Sequence, residues 1–203
     1  MVLCIDTRRA RTERFLGQTA YILTSHESPA PAGHDLRPRP ATIGPEVGHA
    51  LVVDLLLFEE VGDALRGLIP AELGVQRQRV RRYGIKVWFD AVNPPREHYE
   101  AQVIGASGVE GATMLAIEVG FHAEHPNPAN NEAVLAKLAG QERRWRKPLG
   151  PEAVAGGFLG RPDDWCRVSE TWPDPDLSDP GLGIELAARL TDYVLALEPA
   201  LRS

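Results

Sequence analysis

Apolar and polar residues alternate along three neighbouring segments in the middle of the chain. The segments span residues 82–90, 97–104 and 113–124, and most of their apolar side chains occupy odd-numbered positions. Alternation with a period of two is typical of strands that bury one face and leave the other wetter. The connections are short and contain turn residues, such as Asn93-Pro94-Pro95, so the pattern predicts an antiparallel meander.

Residues that recur at helical spacing precede this meander. A wide apolar stripe begins at Pro45 and ends near Gly67 and Pro70. Proline fits the first turn of a helix, whereas glycine and proline at the far end stop it. A helix with so wide an apolar arc is mostly buried, which predicts that it packs against one face of the sheet.

Further elements are predicted toward the C-terminus. They are a helix capped by the Asn130-Asn131 pair and running to about Arg146, one or two helical turns within residues 151–159, a short strand at residues 165–170 and a last helix capped by Ser178 or Asp179. The predicted fold class is therefore α+β, with an antiparallel β-meander of three to four strands packed on one face by two to three helices.

The first 44 residues differ in composition from the rest. Prolines at positions 29, 31, 38 and 40 interrupt them, and each proline removes a backbone donor and fixes φ. We predict that residues 1–44 form an irregular Pro-rich N-terminal arm or extension, and that residues 45–203 form a single α+β domain.

The alternation also predicts what the second face of the sheet, here called the polar face, carries. A slip of one residue would turn every side chain to the other face, so odd positions must pair with odd positions. The even-numbered side chains that share the polar face are Lys86, Trp88, Asp90, His98, Glu100, Gln102, Glu118, His122 and Glu124. With tight turns, Glu100 lies opposite or diagonal to Glu118, and Lys86 or Trp88 lies opposite Glu100.

Two interpretations of the polar face are open. In the first, it is a structural surface on which Lys86 pairs with Glu100 and Glu118, each pair contributing about 0.2–1 kcal/mol. In the second, the facing carboxylates hold a divalent cation that activates water, with His98 or His122 as the base. The candidate catalytic and metal-ligating residues are His98, Glu100, Glu118 and His122. The candidate ligand-binding residues are Lys86, Trp88, Gln102 and Glu124.

No established catalytic motif accompanies these residues. Glu118 is followed by Val119 and Gly120, so the acid-x-Lys pattern of restriction-nuclease-like cores is missing. The run His122-Ala123-Glu124-His125 lacks the spacing of a His-Glu-x-x-His zinc helix. We therefore interpret the protein as a binding or accessory module for which no cofactor and no metal is expected. A hydrolase that acts on phosphoester-type substrates with a divalent metal ion is the alternative.

Charge disfavours some partners and favours others. The chain has 22 basic and 28 acidic side chains and a formal net charge of −6, which argues against a dedicated nucleic-acid binder. Weak nucleic-acid binding through the arginine clusters at residues 77–82 and 143–147 is a second alternative. Acidic residues concentrate between positions 163 and 179. A surface segregated in this way suits a homo-oligomer or a charged protein partner.

Cysteine usage and hydropathy predict a reduced, cytoplasmic location. Cys4 and Cys166 are too few for a disulfide framework. No apolar stretch approaches the roughly 20 residues that a membrane span requires, so no membrane partner is expected.

Overall fold

A computed structural model describes residues 45–159 and 161–203, with side chains described from Leu56 onward. The predicted arm over residues 1–44 lies outside the described residues.

A single antiparallel sheet of six strands forms the centre of the structure. The strands are β1 (Arg77–Arg81), β2 (Gly84–Trp88), β3 (Glu97–Gly105), β4 (Leu115–Ala123), β5 (Val154–Phe158) and β6 (Arg161–Pro173). Their order across the sheet is β1-β2-β3-β4-β6-β5. The predicted α+β class with an antiparallel sheet is confirmed, and the sheet is larger than the three to four strands expected.

The two strands that the sequence analysis did not predict, β1 and β5, are the edge strands of the sheet. Strand β1 reads Arg-Gln-Arg-Val-Arg and β5 reads Val-Ala-Gly-Gly-Phe. Edge strands bury little of either face and carry charges or glycines, so they lack a clear apolar alternation. The prediction of helical turns within residues 151–159 was wrong for this reason. Strand β6 also runs further in both directions than the predicted segment at residues 165–170.

Four helices and a short 3₁₀ turn complete the described part. They are α1 (Pro45–Leu68), the 3₁₀ turn (Ala71–Leu73), α2 (Pro128–Ala139), α3 (Glu142–Leu149) and α4 (Leu182–Leu201). The helix predicted up to Arg146 is thus two helices, separated at Gly140 and Gln141. Of the described helices, none is long and apolar enough to cross a membrane.

Two helix caps differ from those predicted. Helix α2 is capped by Asn127, whose side chain accepts a hydrogen bond from the backbone of Ala129. Asn131 is instead buried, and its amide donates to the carbonyl of Asp164 at 2.6 Å. Helix α4 starts after Gly181, which has no side chain to cap it. Asp179, a predicted cap, accepts a hydrogen bond from the backbone N–H of Gly181 at 2.7 Å.

The helices lie against the face of the sheet that carries the odd-numbered residues of β2, β3 and β4, here called the helix-covered face. The core on this side includes Phe58, Ile85, Tyr99, Val119 and Leu190, all at most 1% exposed. Burial of this apolar surface is the main force that fixes the sheet against its helices.

Two buried carboxylates fasten α4 to the helix-covered face. Glu170 of β6 pairs with Arg189 of α4 and accepts a hydrogen bond from the Tyr193 hydroxyl at 3.0 Å. Glu198 of α4 accepts a hydrogen bond from the Tyr99 hydroxyl at 3.0 Å and pairs with Arg202, the residue that follows the helix. Each carboxylate therefore has an arginine and a tyrosine as partners.

Candidate functional site

The strand register brings the even-numbered residues of β2, β3 and β4 to the polar face, as the alternation predicts. Lys86 lies opposite Glu100, His98 lies opposite His122, and Gln102 lies opposite Glu118. Glu100 itself faces Gly120, so Glu118 is its diagonal neighbour. Asp90 lies beyond the end of β2 and is exposed, where it accepts a hydrogen bond from the backbone of Val92.

Strand β6 adds residues to the polar face that the sequence analysis did not identify. Arg167 lies opposite His122, and Ser169 lies opposite Gly120. Both follow from the alternation in β6, where Arg167, Ser169 and Thr171 occupy every second position. That signal was missed because this strand was considered too short and its neighbour in the sheet was unknown.

One oxygen of Glu100 is the centre of the cluster. Its Oε2 lies 3.2 Å from Nε2 of His98 and 3.1 Å from Nδ1 of His122. The ammonium of Lys86 lies 3.2 Å from the same oxygen. Burial by itself raises the pKa of Glu100, but the Lys86 charge and the hydrogen bonds from both histidines outweigh it and hold the pKa well below the usual range. Glu100 is therefore an anion at neutral pH.

Glu118 is the second buried carboxylate of the polar face, with its side chain fully buried. It accepts hydrogen bonds from the Ser169 hydroxyl at 2.8 Å and from the Gln102 amide at 3.0 Å. Arg167 lies 3.3 Å away. Burial raises the pKa of Glu118, but the charge of His122 and these neighbours lower it below its ordinary value.

The two histidines respond to this setting in opposite directions. His122 lies between two carboxylates, with Nε2 3.4 Å from Glu118. Burial alone would lower the pKa of His122, but Glu118 and Glu100 raise it to about 9. For His98 burial dominates, and the hydrogen bond to Glu100 offsets it only in part, so its pKa is lowered. His122 is thus protonated and His98 neutral at pH 7.

The charges of the cluster then balance. The cations are Lys86, Arg167 and protonated His122, and the anions are Glu100, Glu118 and Glu124. A balanced set of this kind lowers the free-energy penalty of burying each charge.

Four of these side chains have the composition and spacing of a metal site. Donor atoms of His98, Glu100, His122 and Glu124 all lie within 4.8 Å of one another. This set shares three residues with the four considered from the sequence and contains Glu124 in place of Glu118. Lys86 occupies the same region, because its ammonium also lies 3.0 Å from Oε1 of Glu124.

Three buried polar atoms on the polar face have no hydrogen-bond partner among the described residues. They are Nε1 of Trp88, Nδ1 of His98 and Nε2 of His122. Such atoms are uncommon in folded proteins, because each loses its hydration without replacement. Within the described part of the chain, no side-chain atom of the helix-covered face shares this property. These atoms therefore distinguish the polar face from the helix-covered face and make it the candidate site.

Aromatic side chains border the cluster on two sides. The Arg79 guanidinium lies over the Trp88 ring, 5.8 Å from its centroid, and Trp88 is only 7% exposed. The Phe158 ring meets the edge of His122 at 4.8 Å and that of Trp165 at 5.5 Å. The indole of Trp88 is thus already covered, and its face is not free to stack on a ligand.

A cleft of about 330 Å³ opens at the end of the cluster where β4 leads into α2. Arg96, Arg161, Asp164 and Trp165 line it, together with Glu124. Glu124 belongs both to the cleft and to the metal-like set. With its side chain 15% exposed, it links the buried cluster to solvent.

No protein-family model, no curated protein and no solved structure matches this chain. What the protein does is therefore inferred from the chemistry of its own residues.

Proposed function

We propose that the protein is a binding module whose ligand is one divalent transition-metal ion, held by His98, Glu100, His122 and Glu124. The observation that carries this proposal is the convergence of four donor atoms within 4.8 Å. Imidazole nitrogens and carboxylate oxygens together suit Zn²⁺, Mn²⁺ or Fe²⁺. The buried Nδ1 of His98 and Nε2 of His122 have no hydrogen-bond partner among the described residues, so the protein's own contacts leave one nitrogen of each ring unused, which supports the same proposal.

Charge balance explains how the same residues can exist with and without the ion. Metal binding removes the proton of His122, because a histidine must be neutral to ligate. It also releases Lys86 from Glu100 and Glu124. One proton and one ammonium carry the same charge as a divalent ion, so the exchange leaves the cluster neutral. Lys86 can leave because its side chain is 13% exposed and can extend its ammonium into water.

The depth of the site favours binding over catalysis. Four protein ligands and near-complete burial are typical of structural zinc sites, whereas catalytic sites keep one position open for water or substrate. His98 and His122 are at most 1% exposed.

A metal-assisted hydrolase is the second candidate function. The observation that favours it is the position of Glu124 at the cleft, since release of this one ligand would open a coordination position toward solvent.

Metal binding is tested on the full chain after treatment with a chelating resin. We expect calorimetric titration with Zn²⁺ or Mn²⁺ to give one ion per chain, and elemental analysis after dialysis to give the same ratio. His98→Gln and Glu100→Gln should weaken binding by at least about tenfold, since each removes a ligand. The matched control is His125→Gln, because His125 pairs with Glu97 at 2.9 Å outside the set and should bind as wild type does. Absence of stoichiometric metal in the wild type would refute the proposal.

The two candidate functions are separated by turnover. If the protein is a binding module, the metal-loaded chain does not hydrolyse a phosphodiester such as bis(p-nitrophenyl) phosphate. Metal-dependent hydrolysis that is lost in His98→Gln and in Glu100→Gln would establish the second candidate instead.

A further inference from the structure

Two arginines and two carboxylates line the cleft beside Glu124. Arg96 and Arg161 both line it, and neither forms an ion pair with any carboxylate in the described ranges. Glu124 is already paired with Lys86, and Asp164 lines the cleft without reaching either arginine. Two guanidinium groups in one concave site, neither paired with a carboxylate that the structure describes, favour an anionic ligand.

We propose that this cleft binds a small oxyanion, a carboxylate or a phosphate group, through Arg96 and Arg161. A guanidinium presents a planar fork of donors that matches both kinds of oxyanion. The proposal is independent of the metal, because neither arginine belongs to the metal-like set.

The guanidinium of Arg161 is held in place before any ligand arrives. It stacks over the Trp165 ring at 4.6 Å from the centroid. The Phe158 ring also packs edge-to-face with this indole, with ring centroids 5.5 Å apart. An arginine fixed in this way loses less conformational freedom on binding, which increases affinity for the ligand.

The first residue of helix α2 adds to the positive potential. Pro128 lines the cleft and begins a helix of 12 residues. The N-terminal end of a helix carries partial positive charge, which stabilises an anion placed next to it. Helix and arginines therefore favour the same sign of ligand.

The size of the cleft limits the ligand. At about 330 Å³ it lies at the lower end of ligand pockets, which span about 300–1,000 Å³. A dicarboxylate or a small phosphate compound fits this volume.

The test uses metal-free full-length protein, titrated by calorimetry with inorganic phosphate and with succinate at constant ionic strength. We expect at least one of these two anions to bind saturably, with one anion per chain. Tighter binding of phosphate would identify a phosphate ligand, and tighter binding of succinate a carboxylate. Because no metal is present, failure of the metal proposal would not change these results.

Variants of the two arginines test whether these side chains bind the anion. Arg96→Gln and Arg161→Gln should each weaken binding by at least about tenfold, the loss of a charge-assisted hydrogen bond. Arg161→Lys keeps the charge but loses the fork, and we expect an intermediate affinity. The matched control, Arg143→Gln, removes an exposed arginine of α3 and should bind as wild type does. Binding of neither anion, or equal binding by Arg161→Gln and Arg143→Gln, would overturn the proposal.

Discussion

The two faces of the sheet both bury carboxylates, but they hold them with different partners. On the helix-covered face, Glu170 and Glu198 each contact an arginine and a tyrosine. On the polar face, Glu100 and Glu118 contact histidines. Three buried polar atoms without partners lie on the polar face, and the described side chains of the helix-covered face have none.

The difference lies in which partners can change charge. An arginine stays protonated at every relevant pH, and burial beside Glu170 raises the pKa of Tyr193 far from neutrality. The charges of these groups therefore do not change near neutral pH. The pKa of His122 is about 9, close enough to neutrality for its proton to be exchanged. The carboxylates of the helix-covered face are thus held by groups whose charge does not change near neutral pH, whereas those of the polar face are held in part by histidines.

The largest loss of stability is expected from breaking the ion pair of Arg189 and Glu170 on the helix-covered face. Arg189→Met leaves Glu170 buried and without its cation, and loss of one partner of a buried pair costs about 3–5 kcal/mol. The free energy of unfolding measured in urea should fall by this amount. The control is Arg143→Met, which replaces an exposed arginine and should leave the free energy of unfolding near that of the wild type. A loss below about 1 kcal/mol, the value of a surface pair, would contradict the contrast between the faces.

A second prediction concerns Lys86, the cation that occupies the proposed metal site. Lys86→Met removes the ammonium from Glu100 and Glu124, so metal affinity should rise by about tenfold, equivalent to about 1.4 kcal/mol. The metal-free variant should be less stable than wild type, and Zn²⁺ should restore its thermal midpoint. A variant that binds metal more weakly than wild type would show that Lys86 does not compete with the ion.

A third prediction uses pH to separate the faces in the metal-free protein. The folded pKa of His122, about 9, is above its ordinary value of 6.5. Its contribution to stability is therefore fully present below pH 6.5 and is lost as pH rises toward 9.

Thermal unfolding of the wild type should show this decline, roughly 1 to a few kcal/mol, and His122→Gln should not. His98 acts below this window, since its lowered pKa removes stability only as pH falls. A wild type and a His122→Gln variant with the same slope above pH 6.5 would contradict the assignment.

The smallest loss of stability is expected from the partly exposed pair of Glu97 and His125, which lies outside the buried cluster. The pair of Glu97 and His125 has side chains 38% and 20% exposed. Pairs of this kind are worth about 0–1 kcal/mol. Glu97→Gln should therefore change the free energy of unfolding by no more than this, and a larger loss in urea unfolding would mean that the buried network extends beyond the polar face.

Much of the polar face could be predicted because period-two alternation is a local signal. Apolar residues at odd positions in β2, β3 and β4 determine which side chains share a face, whatever the turns do. Alternation left Glu118 opposite or diagonal to Glu100, and the register of β3 and β4 makes it diagonal. Glu124 was also placed on this face, although its place among the metal-like ligands depends on distances that alternation does not contain.

The edges of the sheet and the cleft could not be predicted in the same way. Strand β1 is rich in arginine and β5 contains two glycines, so neither has an apolar face that repeats. Strands β3, β4 and β5 and helices α2 and α3 separate Arg96 from Arg161 along the sequence. The two arginines nevertheless line one cleft. No local sequence pattern predicts that two such distant residues line the same cleft.

The sequence by itself determined the class of fold, the division of the sheet into an apolar and a polar face, and the residues that β2, β3 and β4 present on each. Tertiary structure alone decided that β6 lies beside β4 and so brings Arg167 and Ser169 to the cluster, and that Glu100 is its centre. It also decided that three buried atoms have no hydrogen-bond partner among the described residues. The physical reason is range. Alternation acts between neighbours along one strand, whereas charge balance and hydrogen bonding depend on which distant strands lie side by side.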